Sequence, residues 1–185
     1  MIVCAGNNET FSFATPMGVG LVDMTLNLTR ACIMNPPEFL LFVGSAGSYG
    51  AYKPFDIVES MQAAQIELSF LEKNAYTPID NVVAADATNV SHETMVNSSN
   101  YISTNMELAK NYQKLGIGIE NMEFFAFLRV AQEFDIPAGG IFVVTNYTDE
   151  NAHADFKQNH KLAMDKLAGY VDEKMSRLFG TASKV

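Results

Sequence analysis

The chain has 185 residues, of which 48% are hydrophobic and 18% charged, and its formal net charge is −9. This length fits a single domain, residues 1–185. The sequence contains no uninterrupted apolar run of about 18 residues, so no membrane span is predicted. The 12 basic residues are scattered, which argues against nucleic-acid binding. The N-terminus lacks signal-peptide features, and Cys4 and Cys32 lack metal-ligand spacing, so we expect a cytoplasmic protein with reduced core thiols.

Two strands and a helix are predicted in the N-terminal part of the chain. Met1–Ala5 is a short apolar run ending at a turn signal, and Phe39–Val43 is a continuous apolar run of strand length. Between them, Met17–Met34 is predicted as a helix that ends before Pro36 and is buried on much of its surface. The residues assigned to that buried surface are Val19, Val22, Leu26, Leu28 and Ile33.

The segment Gly44–Gly50, GSAGSYG, follows the second of these strands. Its glycine- and serine-rich backbone offers free N–H groups that suit an anion or a hydroxyl. Taken alone, the same residues fit a tight turn whose backbone angles need glycine. Both interpretations predict that the chain turns directly after the strand.

The middle of the chain carries weaker patterns. Phe55–Ser60 is predicted as a strand, and Ile66–Leu71 is a second strand candidate. Ser103 is predicted to cap a helix over Thr104–Lys114. His92 has no neighbours at metal-ligand spacing, so we expect it to be solvated or to cap a turn.

Two candidate functional carboxylates lie in the stretch from Ile119 to Phe156. Glu123 opens an apolar helix predicted over Met122–Phe134. Asp149 follows a β-rich run over Gly140–Val144. A helix start and a strand end that meet at one edge of a sheet are typical of α/β pockets, so both carboxylates are candidates for one site.

A long final helix is predicted over Phe156–Phe179, with Asp155 as its cap. Its core-facing residues are predicted to be Leu162, Leu167, Val171, Met175 and Leu178. The alternation of strands and helices indicates an α/β fold, with one mixed, mostly parallel sheet flanked by helices in a single domain.

Short segments in a fixed order carry the clearest functional signal. They are GVGLVDM (Gly18–Met24), VGSAG (Val43–Gly47), FDIVES (Phe55–Ser60), NMEFFAF (Asn121–Phe127) and IFVVTNYTD (Ile141–Asp149). Together they resemble motifs of the nucleoside phosphorylase-I superfamily, which holds purine nucleoside phosphorylases and methylthioadenosine/S-adenosylhomocysteine nucleosidases. Each motif is weak alone, and the ordered set is more specific. The resemblance implies a phosphorylase/hydrolase-like fold.

The resemblance implies roles around the sugar of a bound nucleoside. Glu123 would accept hydrogen bonds from the ribose hydroxyls, and Met122 would pack on the sugar. Ser45, Ala46 and Gly47 would line the position of the phosphate or water that attacks the anomeric carbon. An ionised carboxylate near the ribose suits this chemistry, because the reacting sugar acquires oxocarbenium character.

The resemblance also implies roles at the base. Asp149 would protonate or hydrogen-bond N7 of a purine, which requires an acid within hydrogen-bond reach. Tyr101 would stack on the base. Without the resemblance, each residue has a structural interpretation. Glu123 would be a first-turn carboxylate that complements the helix dipole, and Asp149 would be a turn residue. Tyr101 would be a core or interface residue.

The phosphate-binding arginines of the family are replaced in this chain. Phe42 precedes the turn and Thr145 stands at the strand end. The family's first strand and loop, which bring another arginine or the water-positioning glutamate of the nucleosidases, are expected before Met1, as in an N-terminally shortened relative. Glu9 would substitute for that glutamate if the loop Gly6–Pro16 folds back. A phosphate pocket without arginines would be weak, so hydrolysis tolerates these losses better than phosphorolysis.

Two hypotheses follow from the sequence. The first is a purine nucleoside phosphorylase or nucleosidase that cleaves the N-glycosidic bond, without a cofactor and with phosphate as a possible co-substrate. The second is a non-catalytic relative that binds a nucleoside or base, or serves in assembly. In both cases the expected partners are a purine nucleoside or base and further copies of the chain, in a dimer or hexamer, with neither nucleic acid nor membrane.

Overall fold

The computed structural model describes residues 1–87 and 89–179. Residue 88 and residues 180–185, which the predicted domain includes, lie outside the described residues. Within the described part, nine strands form one sheet and five helices flank it. None of the helices described there is long and apolar enough to cross a membrane.

Strands and helices largely alternate along the chain. The strands are β1 (Ile2–Cys4), β2 (Thr15–Pro16), β3 (Leu40–Ser48), β4 (Ile57–Ser60), β5 (Gln62–Ala64), β6 (Val82–Ala84), β7 (Met95–Asn97), β8 (Ile117–Glu120) and β9 (Ala138–Tyr147). The helices are α1 (Gly20–Met34), α2 (Leu68–Leu71), α3 (Met106–Gln113), α4 (Phe124–Glu133) and α5 (Ala152–Phe179).

Strand β3 lies at the centre of the sheet. It pairs with β9 in parallel along its whole length, and on its other side it pairs first with β1 and then, antiparallel, with β8. The sheet continues from β8 through β7 and β5 to β6, while β4 covers the far edge of β9. Five of the eight strand pairings described are parallel. The predicted α/β class, with a mixed and mostly parallel sheet, is confirmed.

The turn predicted directly after Val43 is wrong. Residues Gly44–Ser48 continue β3, with an irregularity between Ala46 and Gly47, and the chain bends only after Ser48. β9 pairs with this whole segment, and β8 pairs with Gly47 and Ser48 on the other side. Side chains of Glu9 and Asn121 bond the backbone of Ser45, so the glycine-rich stretch stays extended. The motif VGSAG is therefore part of a buried strand.

Helix α1 buries a different face from the one that the apolar pattern predicts. Its buried residues repeat every four positions: Gly20, Met24, Leu28 and Cys32. Of the residues predicted to be buried, Leu28 is buried, but Val19, Val22, Leu26 and Ile33 are 39% to 68% exposed. The helix carries two apolar stripes, and only one of them can face the sheet and α4.

Three local predictions are also wrong. Ile66–Leu71 contains the short helix α2 instead of a strand. Asn105 caps α3 through its side-chain oxygen, whereas Ser103 bonds elsewhere. Asp155 lies inside the first turn of α5, because that helix begins earlier than the sequence predicts.

Helix α5 packs on the sheet with part of its predicted stripe. Leu167 and Val171 are buried and Met175 packs against the same core cluster, but Leu162 and Leu178 are exposed. Ala163 takes the buried position next to Leu162. Because only four residues connect β9 to α5, the start of the helix lies at the edge of the sheet where the candidate site lies.

Candidate active site

A cavity of about 290 Å³ opens where the loop after β1, the later part of β3, the ends of β8 and β9, and the starts of α4 and α5 meet. Its size is at the lower end of the range for pockets that hold small organic ligands. Six of the residues predicted for the site line it: Ser45, Ala46, Gly47, Tyr101, Met122 and Glu123. The sheet topology thus brings together segments that are far apart in the chain.

Asp149 is the predicted site residue that does not line this cavity. Its Oδ1 accepts the N–H of Asn151 at 2.8 Å, and its carbonyl oxygen accepts the N–H of Ala152 at 3.1 Å. These bonds close the turn that leads into α5. The observed position is that of the turn residue which the local sequence also permits.

Glu123 precedes α4, but its carboxylate does not cap that helix. Oε1 accepts the N–H of Gly20, at the start of α1, at 2.8 Å. Gly20 has φ +85° and a Cβ there would meet the Asn100 side chain at 2.7 Å, so this position requires glycine. Glu123 is 3% exposed. Burial raises its pKa to about 7, and the charge of nearby Glu9 adds to the rise.

Asn121 holds β3 and the start of α4 together. Its Nδ2 donates to the carbonyl oxygen of Ser45 at 3.0 Å, and its Oδ1 accepts the N–H groups of Glu123 and Phe124 at 2.9 and 3.0 Å. Asn121 is not among the residues predicted for the site. Asparagine just before an apolar helix is a common capping signal, so the pattern was available.

Glu9 reaches the cavity because the loop after β1 folds back onto β3. Its Oε1 accepts the hydroxyl of Ser45, and its Oε2 accepts the Ser45 N–H at 3.1 Å. A Cβ at Gly44 would lie 2.9 Å from Oε2, so glycine makes room for the carboxylate. Burial raises the pKa of Glu9. A carboxylate on the loop after the first strand is thus present in the pocket.

Glu120, the last residue of β8, is a third carboxylate on the cavity wall. It accepts the N–H of Ser103 at 2.9 Å, the Ser103 hydroxyl at 2.6 Å and the Tyr49 hydroxyl at 2.8 Å. These bonds anchor the segment that carries Tyr101, which is 82% exposed at the mouth of the cavity. Glu120 was not predicted because β8 is a four-residue strand that follows Gly116 and contains Gly118, so its residues give no strand signal.

The cavity is acidic. Glu9, Glu120 and Glu123 line it, and none of the described lining residues is Lys or Arg. His153 and Phe156 enter the wall from α5. Phe42 and Thr145 occupy the two positions where the family resemblance leads us to expect a phosphate-binding arginine, and no described lysine or arginine lines the cavity in their place. The arrangement suits a neutral nucleophile and a cationic sugar-like transition state better than a phosphate dianion.

Comparison with known proteins agrees with this architecture. Residues 85–174 match the family model of the Phosphorylase superfamily. No curated protein matches the chain.

Several solved structures share the fold at low identity. A futalosine hydrolase mutant from Helicobacter pylori strain 26695 has a TM-score of 0.80 and 16% identity, covering 95% of this chain and 97% of that one. A mutant 5′-methylthioadenosine nucleosidase from H. pylori, with 5′-methylthioadenosine in its active site, has a TM-score of 0.76 and 17% identity over 89% of this chain and 79% of that one. The corresponding nucleosidase from Colwellia psychrerythraea, with adenine, has a TM-score of 0.78 and 13% identity over 96% and 94%.

Proposed function

We propose that the chain, whose residues 85–174 match the family model of the Phosphorylase superfamily, cleaves the N-glycosidic bond of a purine nucleoside or a related compound, and that it does so by hydrolysis. The observation that carries the proposal is the pairing of Glu9 and Glu123 in one cavity whose described lining residues include no Lys or Arg. The purine ligands of the two nucleosidases support the substrate class.

Glu123 acts on the sugar in this proposal. Its free carboxylate oxygen accepts hydrogen bonds from the ribose hydroxyls, while the bond from the Gly20 N–H holds the other oxygen. As the glycosidic bond lengthens, positive charge develops on the sugar, and an ionised carboxylate in a buried site stabilises that charge. Met122, on the cavity wall next to Glu123, packs against the sugar ring.

Glu9 acts on the attacking water. A water molecule beside Ser45, Ala46 and Gly47 attacks the anomeric carbon and gives a proton to the Glu9 carboxylate. The new carbon–oxygen bond replaces the bond to the base nitrogen, whose electron pair leaves with the base, and the base takes up a proton. Phosphate is disfavoured as nucleophile because Glu9 already occupies the Ser45 N–H and would repel a dianion.

Protonation of the leaving base needs a further group, and we assign it to Asp149. Its carboxylate would have to turn from the Asn151 N–H towards the base when substrate binds. His153, which already lines the cavity, is the competing candidate. Tyr101 and Phe156, which are aromatic residues of the cavity wall, would contact the base.

Asp149→Asn is expected to lower kcat by about 100-fold, because the amide keeps the turn-closing oxygen but cannot protonate the base. His153→Gln is expected to lower kcat by less than about threefold. Both variants should be assayed by steady-state release of free base. The opposite ranking would assign the proton to His153 and contradict the role given to Asp149.

The function is tested with the purified protein and adenosine, inosine and methylthioadenosine, each with and without phosphate. We expect free base and free sugar, at a rate independent of phosphate. Formation of a sugar 1-phosphate would overturn the hydrolytic mechanism. Absence of turnover with any nucleoside, combined with a thermal shift on nucleoside addition, would support the binding-only alternative.

We also propose that the chain assembles through α1. Val22, Leu26 and Ile33 lie within about 40° of one another on the helix, and each is more than half exposed. An apolar stripe of this kind marks an interaction surface. A second copy of the chain is the proposed occupant, in line with the homo-oligomer that the family resemblance implies.

Leu26→Glu is expected to reduce the solution mass to that of one chain, because burying the new carboxylate in the contact would be costly. The mass is measured by light scattering after size exclusion. Thr25→Glu, an exposed change about 100° away on the same helix, should leave the assembly intact. A single-chain mass for the unaltered protein would contradict the proposal.

A further inference from the structure

One ring nitrogen of His160 is buried and has no evident structural role. Within residues 1–87 and 89–179, its Nε2 is the one buried side-chain nitrogen or oxygen without a hydrogen-bond partner. Nearly all buried polar atoms in native proteins have a partner, so each exception needs a physical reason. The proposed reaction does not use His160.

His160 lies on the side of α5 that borders the cavity. Ala152 and Phe156 line the cavity, and His160 follows at the same interval of four residues, so the three share one face of the helix. The rings of Phe156 and His160 are 5.0 Å apart. Ala163, one turn further, belongs to the core cluster against which Phe11 packs. His160 is thus situated between the cavity wall and the loop after β1.

That loop carries Glu9, and the imidazole of His160 interacts electrostatically with the Glu9 carboxylate. Burial raises the pKa of Glu9, whereas the hydrogen bonds from Ser45 and the charge of His160 act against the rise. Ser45 supplies two donors to the carboxylate. A carboxylate accepts up to about four hydrogen bonds, so Glu9 retains room for a further donor.

Several titratable groups surround this pair. β3 contains none. On the neighbouring elements they are Cys4 on β1, Glu120 on β8, Tyr147 on β9, His153 and Asp155 on α5 and Glu123 across the cavity, while Lys157 and Lys161 are exposed beside His160 in the sequence. None of the described groups that line the cavity is a permanent cation. Of the histidines near the cavity, His160 is the one whose imidazole interacts electrostatically with the Glu9 carboxylate.

We propose that His160 is a positioning residue that, in its protonated form, keeps the Glu9 carboxylate ionised and oriented when substrate displaces water from the cavity. The inference rests on the proposed role of Glu9 as acceptor of the water proton. A buried carboxylate without a counter-charge takes up a proton, and it then cannot accept another from the attacking water. Histidine suits this task because its charge changes near neutral pH.

The first test measures Glu9 directly and does not depend on activity. The ¹³C carboxyl resonance of Glu9, assigned by its loss in Glu9→Gln, is followed through a pH titration in the unaltered protein, His160→Leu and His160→Gln. Both His160 variants are expected to raise the titration midpoint of Glu9 by about one pH unit, as expected for loss of a nearby opposite charge. His92→Leu, an exposed histidine in the loop before β7, is the matched control and should leave the midpoint unchanged.

The second test follows kcat/KM against pH with the nucleoside that the unaltered enzyme cleaves. Relative to the unaltered enzyme, kcat/KM of His160→Leu is expected to fall progressively towards acidic pH, reaching a roughly tenfold loss at the acidic end, with a change below about twofold at the alkaline plateau. Ionisation of Glu123, whose pKa is about 7, limits both enzymes alike, so the ratio of the two profiles isolates the effect on Glu9. A uniform loss at all pH values would indicate a merely structural role and overturn the proposal.

The two tests separate two kinds of failure. If the unaltered protein cleaves no nucleoside, the proposed function fails, and the Glu9 titration alone decides whether His160 holds the carboxylate ionised. If the midpoint of Glu9 is the same with and without His160, the inference is overturned even when the enzyme is active. Thermal unfolding of each variant verifies that it is folded at every pH used.

Discussion

Glu9→Gln is expected to lower kcat for nucleoside hydrolysis by about 10²- to 10⁴-fold with little change in KM, which is the usual effect of removing a general base. Glutamine has nearly the same shape, and its oxygen still accepts one hydrogen bond from Ser45. It cannot take a proton from the attacking water. Steady-state release of free base, measured with enzyme in excess of any contaminating activity, gives the ratio.

The control for this change is Glu133→Gln, an exposed glutamate at the end of α4. Glu133→Gln also removes one negative charge, but outside the cavity, and it should leave kcat within about twofold of the unaltered protein. Near-normal activity of Glu9→Gln would show that the carboxylate is not the base. Restoration by added phosphate would instead show that Glu9 had been excluding an anionic nucleophile.

Glu123→Gln is expected to have two opposite effects, on activity and on stability. Activity should fall by about 100-fold or more, because the amide cannot neutralise the positive charge that develops on the sugar. The free energy of unfolding at pH 8 should rise, since the folded protein no longer buries an ionised carboxylate. The Gly20 N–H keeps an oxygen acceptor in the variant, so the packing around α1 is retained.

The sign of the stability effect follows from the raised pKa. The carboxyl of Glu123 goes from its ordinary pKa of 4.5 to about 7 in the fold. Its protonated form therefore favours folding: the contribution is complete below the unfolded value and is lost as the pH rises through about 7. The loss amounts to about 3 kcal/mol at most, at 1.36 kcal/mol for each pH unit between the two values.

The unfolding midpoint of Glu123→Gln should therefore exceed that of the unaltered protein by about 5 °C at pH 8, with a smaller difference at pH 5. Calorimetry at both pH values measures this, and Glu133→Gln again serves as the control. An equal or lower midpoint at pH 8 would mean that Glu123 is not destabilising when ionised. A buried carboxylate that lowers the free energy of unfolding, yet is retained in the natural sequence, is expected at a functional site.

The sequence contains enough local information to predict the fold class and about half of the site. The apolar runs that become β1, β3, β4 and β9 are recognisable because their burial is continuous. Pro36 stops α1 where predicted, and the position of Glu123 before an apolar helix is a local feature. The strands β5 to β8 are three or four residues long, too short for a period of two to stand out from chance.

The rest of the site depends on contacts between distant segments. Glu9 reaches the cavity only because β1 lies beside β3, which aligns its loop with Ser45 and leaves the carboxylate space above Gly44. Glu120 enters through β8, which pairs with the same region of β3. No local pattern encodes these neighbours, because each arises from pairing between residues tens of positions apart.

Tertiary packing also decided which face of α1 is buried and where Asp149 lies. α1 has two apolar stripes, and the one with Met24 and Leu28 is buried because it fits against α4 and the sheet, leaving Leu26 exposed. Asp149 closes the turn before α5, and its proposed role as the acid requires its carboxylate to turn away from the Asn151 N–H. By itself the sequence determined the residue types and the longer strands and helices. The pairing of strands around β3 determined which carboxylates meet, because side chains share a cavity only after distant backbone segments have been brought into register.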